Sequence, residues 1–187
     1  MIKYAICGNI ASGKSTVQEI LEKSGYKVLD TDAISHSILY KNASITKLFS
    51  TYDVFDGDNI SRDKLGKLVF SNNDLKNKLE NIIHPLVRTE IEKFFELNFN
   101  EKKVFVAIPL LFEANMSDMF DRIIFVYADD EIRLKRLIER NNYSEDYAKL
   151  RMNSQIPQVE KMRKSDIVIL NNCSIENLES QILSIIE

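Results

Sequence analysis

Five short apolar runs punctuate the chain: Tyr4-Ala5-Ile6-Cys7, Tyr26-Lys27-Val28-Leu29, Val104-Phe105-Val106-Ala107-Ile108, Arg122 to Tyr127, and Asp166 to Leu170. Their length predicts strands, and the near-continuous apolar character of the third marks a parallel strand covered on both sides. Between the first two, Val17, Ile20 and Leu21 share one face of a helix predicted from near Lys14 to about Ser24, with Gly25 as its stop. Strand, loop, helix, strand makes a parallel pair with a right-handed crossover, and such sheets hold ligands at the carboxyl ends of their strands. From Ala33 to about Asn100 the sequence is helical and polar-rich with no strong strand. That length exceeds a simple crossover and predicts a helical insertion, in which Pro85 divides a helix ending at Ile83 from one beginning at Leu86. Asp129 is a predicted cap for the helix carrying Leu134, Leu137 and Ile138, a polar helical segment runs from Ser144 to about Lys164, and Ser174 opens a last amphipathic helix. The fold class is α/β: a three-layer sandwich on a five-stranded parallel sheet, built as one domain with core segments 1–32, 101–139 and 165–187, an insertion of about 33–100 and a lid of about 140–164.

The first loop carries the chemistry. Gly8-Asn9-Ile10-Ala11-Ser12-Gly13-Lys14-Ser15 fits G-x-x-x-x-G-K-[ST], with an apolar strand before it and an amphipathic helix after it, the setting such a phosphate-binding loop needs. Gly8 and Gly13 let the backbone turn so that amide N–H groups point inward at phosphates, and the positive end of the following helix adds to the cradle. Lys14 can reach the outer phosphates as a point charge, and the Ser15 hydroxyl suits one site of an octahedral magnesium ion. ATP or GTP with Mg²⁺ is the implied ligand; a ligand-free turn is the bland alternative.

Composition narrows the partners. The 187 residues are 44% hydrophobic and 28% charged with a formal net charge of −3, which suits one globular domain and gives no basic excess for nucleic acid. No apolar stretch approaches a membrane span and no signal peptide precedes the first strand, so a cytoplasmic protein is expected. Cys7 and Cys173 form no metal or disulfide pattern and read as packing residues.

Asp30 and Asp32 leave the second strand at the ligand edge. For Asp30 a helix cap and a catalytic role stand side by side; for Asp32 chemistry is favoured, because an acceptor hydroxyl needs a carboxylate opposite the phosphate loop. Arg133, Arg136 and Arg140 fall at i, i+3 and i+7, either a solvated face or a phosphoryl clamp, with Arg140 the stronger clamp candidate. Arg62 reads as a surface residue and His84 as a helix-junction residue on physics alone. Pro109-Leu110-Leu111-Phe112-Glu113 ends the third strand and brings Glu113 toward the cleft mouth, Arg151 and Gln155 fall in the lid, and Asn171-Asn172 turns at the ligand edge.

Together these segments resemble the dephospho-CoA kinases over essentially the whole chain. The resemblance rests on the loop Gly8 to Thr16, Asp30-Thr31-Asp32, Arg62 with Val69-Phe70, Ile83-His84-Pro85-Leu86, Pro109 to Glu113, Leu134-Lys135-Arg136 with Arg140, Arg151 with Gln155, and Asp166 to Ile169 followed by Asn171. It implies an adenylate-kinase-like P-loop kinase that phosphorylates the ribose 3′-hydroxyl of dephospho-CoA with ATP and Mg²⁺; the sequence leaves the oligomeric state open, with a monomer favoured. On the matched positions it implies catalytic roles for Asp32, Lys14 and Arg140, and nucleotide binding by Gly8, Ala11, Ser12, Gly13, Lys14, Ser15, Thr16, Arg136 and Asn171. Ser15 would hold the metal, and Asp32, Arg62, His84, Pro109, Leu110 and Glu113 would line the acceptor. The family usually has glycine where Asn9, Ala11 and Cys173 stand. Ala11 is a modest change provided its φ is negative, and Asn9 tolerates left-handed geometry.

Three rivals share parts of this pattern. Another small-molecule or nucleoside monophosphate kinase would have the same architecture. A regulatory GTPase would use Asp63-Lys64-Leu65-Gly66 and Asn77-Lys78-Leu79-Glu80, although neither has the setting those motifs need. A motor ATPase would use Ile123 to Asp129 as its acidic strand, but the chain is short for one.

Overall fold

The computed structural model describes residues 1–186. Five strands, β1 (Ile2–Cys7), β2 (Lys27–Asp30), β5 (Lys103–Ala107), β6 (Arg122–Tyr127) and β7 (Ile167–Leu170), form one sheet in the order β2-β5-β1-β6-β7. Every pairing is parallel, so all five carboxyl ends lie on one edge. The register Ile6↔Ala107 and Ile6↔Ile124 brings the exits of the three central strands level with the phosphate loop.

Side chains alternate across this sheet, and each face has its own cover. Tyr4, Ile6, Phe105, Ile124, Val126 and Ile169 form one core with Val17, Ile20 and Leu21 of α1 (Lys14–Lys23) and with Leu178, Ile182 and Ile186 of α9 (Ile175–Ile186). Phe105 anchors it, stacked on Tyr4 at 4.9 Å and edge-on to Tyr26 at 5.3 Å. Cys7, on the opposite face, lies against Lys161 and Ser165, at and just beyond α8 (Gln158–Arg163). Burial among these groups pushes its thiol up to about 12, so Cys7 is an inert packing residue as expected. Cys173 is exposed, contrary to the packing role expected for it.

The chain divides into two compact units: Met1–Asp30 with Phe95–Glu187, and Thr31–Phe94. The second holds α2 (Thr31–Lys41), α3 (Ala43–Phe49), α4 (Arg62–Ser71) and most of α5 (Asn73–Leu97). Its own core joins Ile45, Phe49, Val54, Ile60, Leu65, Leu75 and Leu79. The sequence predicted no strand here, yet β3 (Phe55–Asp56) and β4 (Asn59–Ile60) pair as a two-stranded hairpin. Gly57 at φ 61° supplies the positive first turn position, and Lys64 ties the hairpin down through Asp53, Asp56 and the Phe55 carbonyl. A second difference is α5, which runs unbroken for 25 residues through Pro85 instead of stopping at Ile83. Leu75, Leu79, Val87, Ile91 and Phe95 are buried along it, and that burial outweighs the N–H that proline cannot donate. His84 is therefore helical and not a junction residue.

Candidate active site

Gly8 and Gly13 are glycines for separate steric reasons. A Cβ on Gly8 would lie 2.5 Å from Ser12 Oγ and 2.8 Å from the Val126 carbonyl oxygen. One on Gly13, at φ 96°, would lie 1.9 Å from Asn171 Nδ2. That amide donates to the Ser12 carbonyl at 2.8 Å, fastening the turn after β7 to the loop after β1 across 159 residues of sequence. Arg136, on α6 (Asp130–Asn141), donates from Nη2 to the Asn171 carbonyl at 3.0 Å, with Nη1 buried and without a hydrogen-bond partner. Ser12 Oγ is likewise buried and unpaired. Glycine-lined space and unsatisfied polar groups at the start of a helix are what a bound polyphosphate would complete. Lys14 and Ser15 open α1 just below.

The predicted arginine stripe splits into three roles. Arg140 is exposed near the end of α6, its Nε on Asn141 Oδ1 at 2.9 Å. Arg136 bridges to Asn171. Arg133 is buried at 2% exposure, donates from Nε to the Ile10 carbonyl at 2.9 Å, and pairs through Nη1 with Asp130 at 2.7 Å. Burial pulls its guanidinium below the ordinary arginine range while Asp130 opposes that shift. Sequence reasoning missed Arg133 as a loop-holding residue; its position one turn before Arg136 was the available signal.

Ala11 has φ 62°, so the alanine and not Asn9 takes the left-handed geometry. The proviso attached to Ala11 fails. Asn9 is buried and uses its side chain differently, donating from Nδ2 to the Ile156 carbonyl at 3.0 Å.

Glu113 was expected to line the acceptor. Its Oε1 lies 2.6 Å from Nζ of Lys161, a fully buried lysine, and also accepts the Ile156 N–H at 3.4 Å. The segment that α7 (Glu145–Asn153) leads into is thus fixed to the turn after β5. Pro109 and Leu110 open that turn, Leu110 exposed.

The remaining candidates belong to the second unit. Asp32 is exposed in the first turn of α2, directly after the end of β2 at Asp30. Arg62 is exposed at the start of α4, and His84 is half-buried on α5. Burial lowers the His84 pKa, with Lys76 adding to that and Glu80 opposing it. A cavity of about 440 Å³ in this unit is lined by Ile34, Ile38 and Lys41 of α2 and by Leu86, Thr89 and Lys93 of α5. At 3.6 residues per turn, those α2 positions lie on the side of the helix away from Asp32, so this cavity is not where Asp32 would act.

Asp63 to Gly66 and Asn77 to Glu80, the segments a GTPase would need as loops, are both helical. Asp129 precedes α6 but its side chain makes no capping hydrogen bond, against expectation. Among the described residues no group of three or more His, Cys, Asp or Glu could hold a metal ion. Magnesium in phosphoryl-transfer sites draws most of its ligands from phosphates and water, so the single hydroxyl of Ser15 is a compatible donor.

Comparison with known proteins decides among the kinase readings. The family profile described as dephospho-CoA kinase matches residues 2–177. The chain belongs to the dephospho-CoA kinase family. The dephospho-CoA kinase of Listeria innocua is 38% identical over 190 residues, covering 97% of this chain and 94% of that protein. A crystal structure from Thermus thermophilus superposes with a TM-score of 0.86 at 34% identity, covering 99% of this chain and 96% of that one. The dephospho-CoA kinase of Campylobacter jejuni gives a TM-score of 0.74 at 34% identity, with 98% and 94% covered. The protein is therefore a kinase of the P-loop α/β class, and no helix among its described residues is long and apolar enough to cross a membrane.

Proposed function

We propose that this kinase transfers the γ-phosphoryl group of ATP to the ribose 3′-hydroxyl of dephospho-CoA, giving coenzyme A and ADP in the last step of coenzyme A synthesis. The observation that carries the nucleotide half is the cradle from Gly8 to Thr16, closed from outside by Asn171 and Arg136 with buried polar atoms left to satisfy. Family membership carries the acceptor half.

In this reading the loop amides, Lys14 and Arg136 hold the triphosphate and its nucleoside, and Arg140 approaches as the lid closes. Mg²⁺, held on the protein side by Ser15, would neutralise charge shared by the outer phosphates. Asp32 orients the 3′-hydroxyl and accepts its proton as the hydroxyl oxygen bonds to phosphorus and the bond to the ADP oxygen breaks. Arg62, His84, Pro109 and Leu110 line the acceptor; Glu113 supports them through Lys161 and Ile156. The proposed working form is a cytoplasmic monomer.

The test is ADP release with dephospho-CoA against adenosine, AMP and no acceptor. Rapid release with dephospho-CoA alone is expected. Equal rates with adenosine or AMP would assign the enzyme to another acceptor.

A further inference from the structure

The apex of the phosphate loop is under strain, and a distant segment holds it. Ser12 N–H donates to the Asn9 carbonyl at 3.0 Å, closing a four-residue turn with Ala11 at φ 62°. Ile10 before it is not in the left-handed region, so the turn has the sign pattern of type II, whose third position favours glycine. An alanine there pays a steric penalty that glycine would not.

Bonds from two other segments fix the peptide groups on either side of Ile10, the residue before Ala11. Gln155 Oε1 accepts the Ile10 N–H at 2.7 Å, and Arg133 Nε donates to the Ile10 carbonyl at 2.9 Å. Asn9 Nδ2 donates to the Ile156 carbonyl at 3.0 Å, while the Ile156 N–H is held by Glu113. The Gln155-Ile156 dipeptide therefore forms a clip of two antiparallel polar contacts over Asn9-Ile10, anchored from behind by the Glu113–Lys161 pair.

We infer that Gln155 and Asn9 are positioning residues: the clip stabilises the left-handed turn at Ala11 and so sets the loop for phosphate binding. It also ties the segment leaving α7 to the loop, so that displacement of that segment loosens the cradle. The inference rests on the kinase reading for its ligand, ATP, but not on the acceptor.

The experiment measures ATP affinity by calorimetry with no acceptor present, so its outcome is independent of which molecule is phosphorylated. Gln155→Met, matched in length and lacking the acceptor oxygen, is expected to weaken ATP binding about 5- to 10-fold, the scale of one hydrogen bond. Asn9→Ala is the parallel variant should the first fail to fold, with a similar loss expected. The deciding measurement adds Ala11→Gly, which removes the strain that the clip opposes. In the Gln155→Met or Asn9→Ala background it should recover most of the lost affinity, several-fold more than it changes the unsubstituted protein. Wild-type affinity in both clip variants overturns the inference. So does an Ala11→Gly effect of equal size in every background, because a merely structural role for the clip would give simple additivity.

Discussion

The loop between β1 and α1 and the helix surface of the second unit contribute candidate residues of different kinds. Around the loop, Asn171, Arg136, Arg133, Gln155 and Asn9, all buried or half-buried, form a net of hydrogen bonds joining residues up to 159 positions apart. In the second unit Asp32 and Arg62 are exposed on their helices, and His84 is only half-buried. The nucleotide end is built into the fold by its packing. The proposed acceptor end presents two of its three charged or titratable candidates, Asp32 and Arg62, at exposed helix positions. Substitutions in the first region should therefore alter folding and binding together, whereas those at exposed Asp32 and Arg62 should act chiefly on turnover.

The largest effect that sharpens this contrast is expected from Asp32→Asn: turnover with dephospho-CoA falling about 10²- to 10⁴-fold with ATP affinity retained. Near-normal turnover in steady-state assays would remove Asp32 from the reaction. Next is Glu113→Ala, which leaves the Lys161 ammonium buried without its carboxylate and should cost about 3 kcal/mol in urea denaturation. Replacing Glu113 and Lys161 together with Leu and Met should recover most of that loss, and failure to recover it would mean that Glu113 stabilises something other than the pair. Gly13→Ala should cost about 2–4 kcal/mol from the left-handed backbone and the collision with Asn171. Adding Asn171→Ala should return only the collision part, which the same unfolding curves resolve.

The smallest effect concerns His84. Its folded-state pKa lies below the ordinary value of 6.5, because burial disfavours the charged ring. The unfolded chain therefore binds the proton more readily, and this residue's contribution to stability is complete above the unfolded pKa and declines as pH falls through it. His84→Gln should make stability fall slightly less between pH 7.5 and pH 5, measured as the difference in melting temperature. An identical acid slope in both proteins would show that the ring is solvated in the native state.

The sheet was legible because β1, β5 and β6 are unbroken apolar runs, and the phosphate loop because its glycines and lysine have fixed spacing after a strand. The hairpin Phe55–Ile60 was not, since two residues per strand give no periodicity; Asp56-Gly57 was its one local signal. Pro85 misled for the opposite reason: a local rule against helix was outweighed by a buried apolar face 25 residues long. The partners of Arg133, Gln155 and Glu113 were not legible, because they are set by the closing of the sheet and not by neighbouring sequence. The left-handed conformation of Ala11 belongs with them, since the neighbouring Asn9 and Ile10 bond to residues 133, 155 and 156 far along the chain.

The unequal fates of the two thiols offer a practical opening. Cys173 is exposed two residues after Asn171, whose amide touches the loop at Ser12, while Cys7 is sealed in the sheet with its sulfur held protonated. A maleimide dye would attach to a single site on the native protein without any engineered cysteine. Its emission would then follow nucleotide arrival and departure in real time.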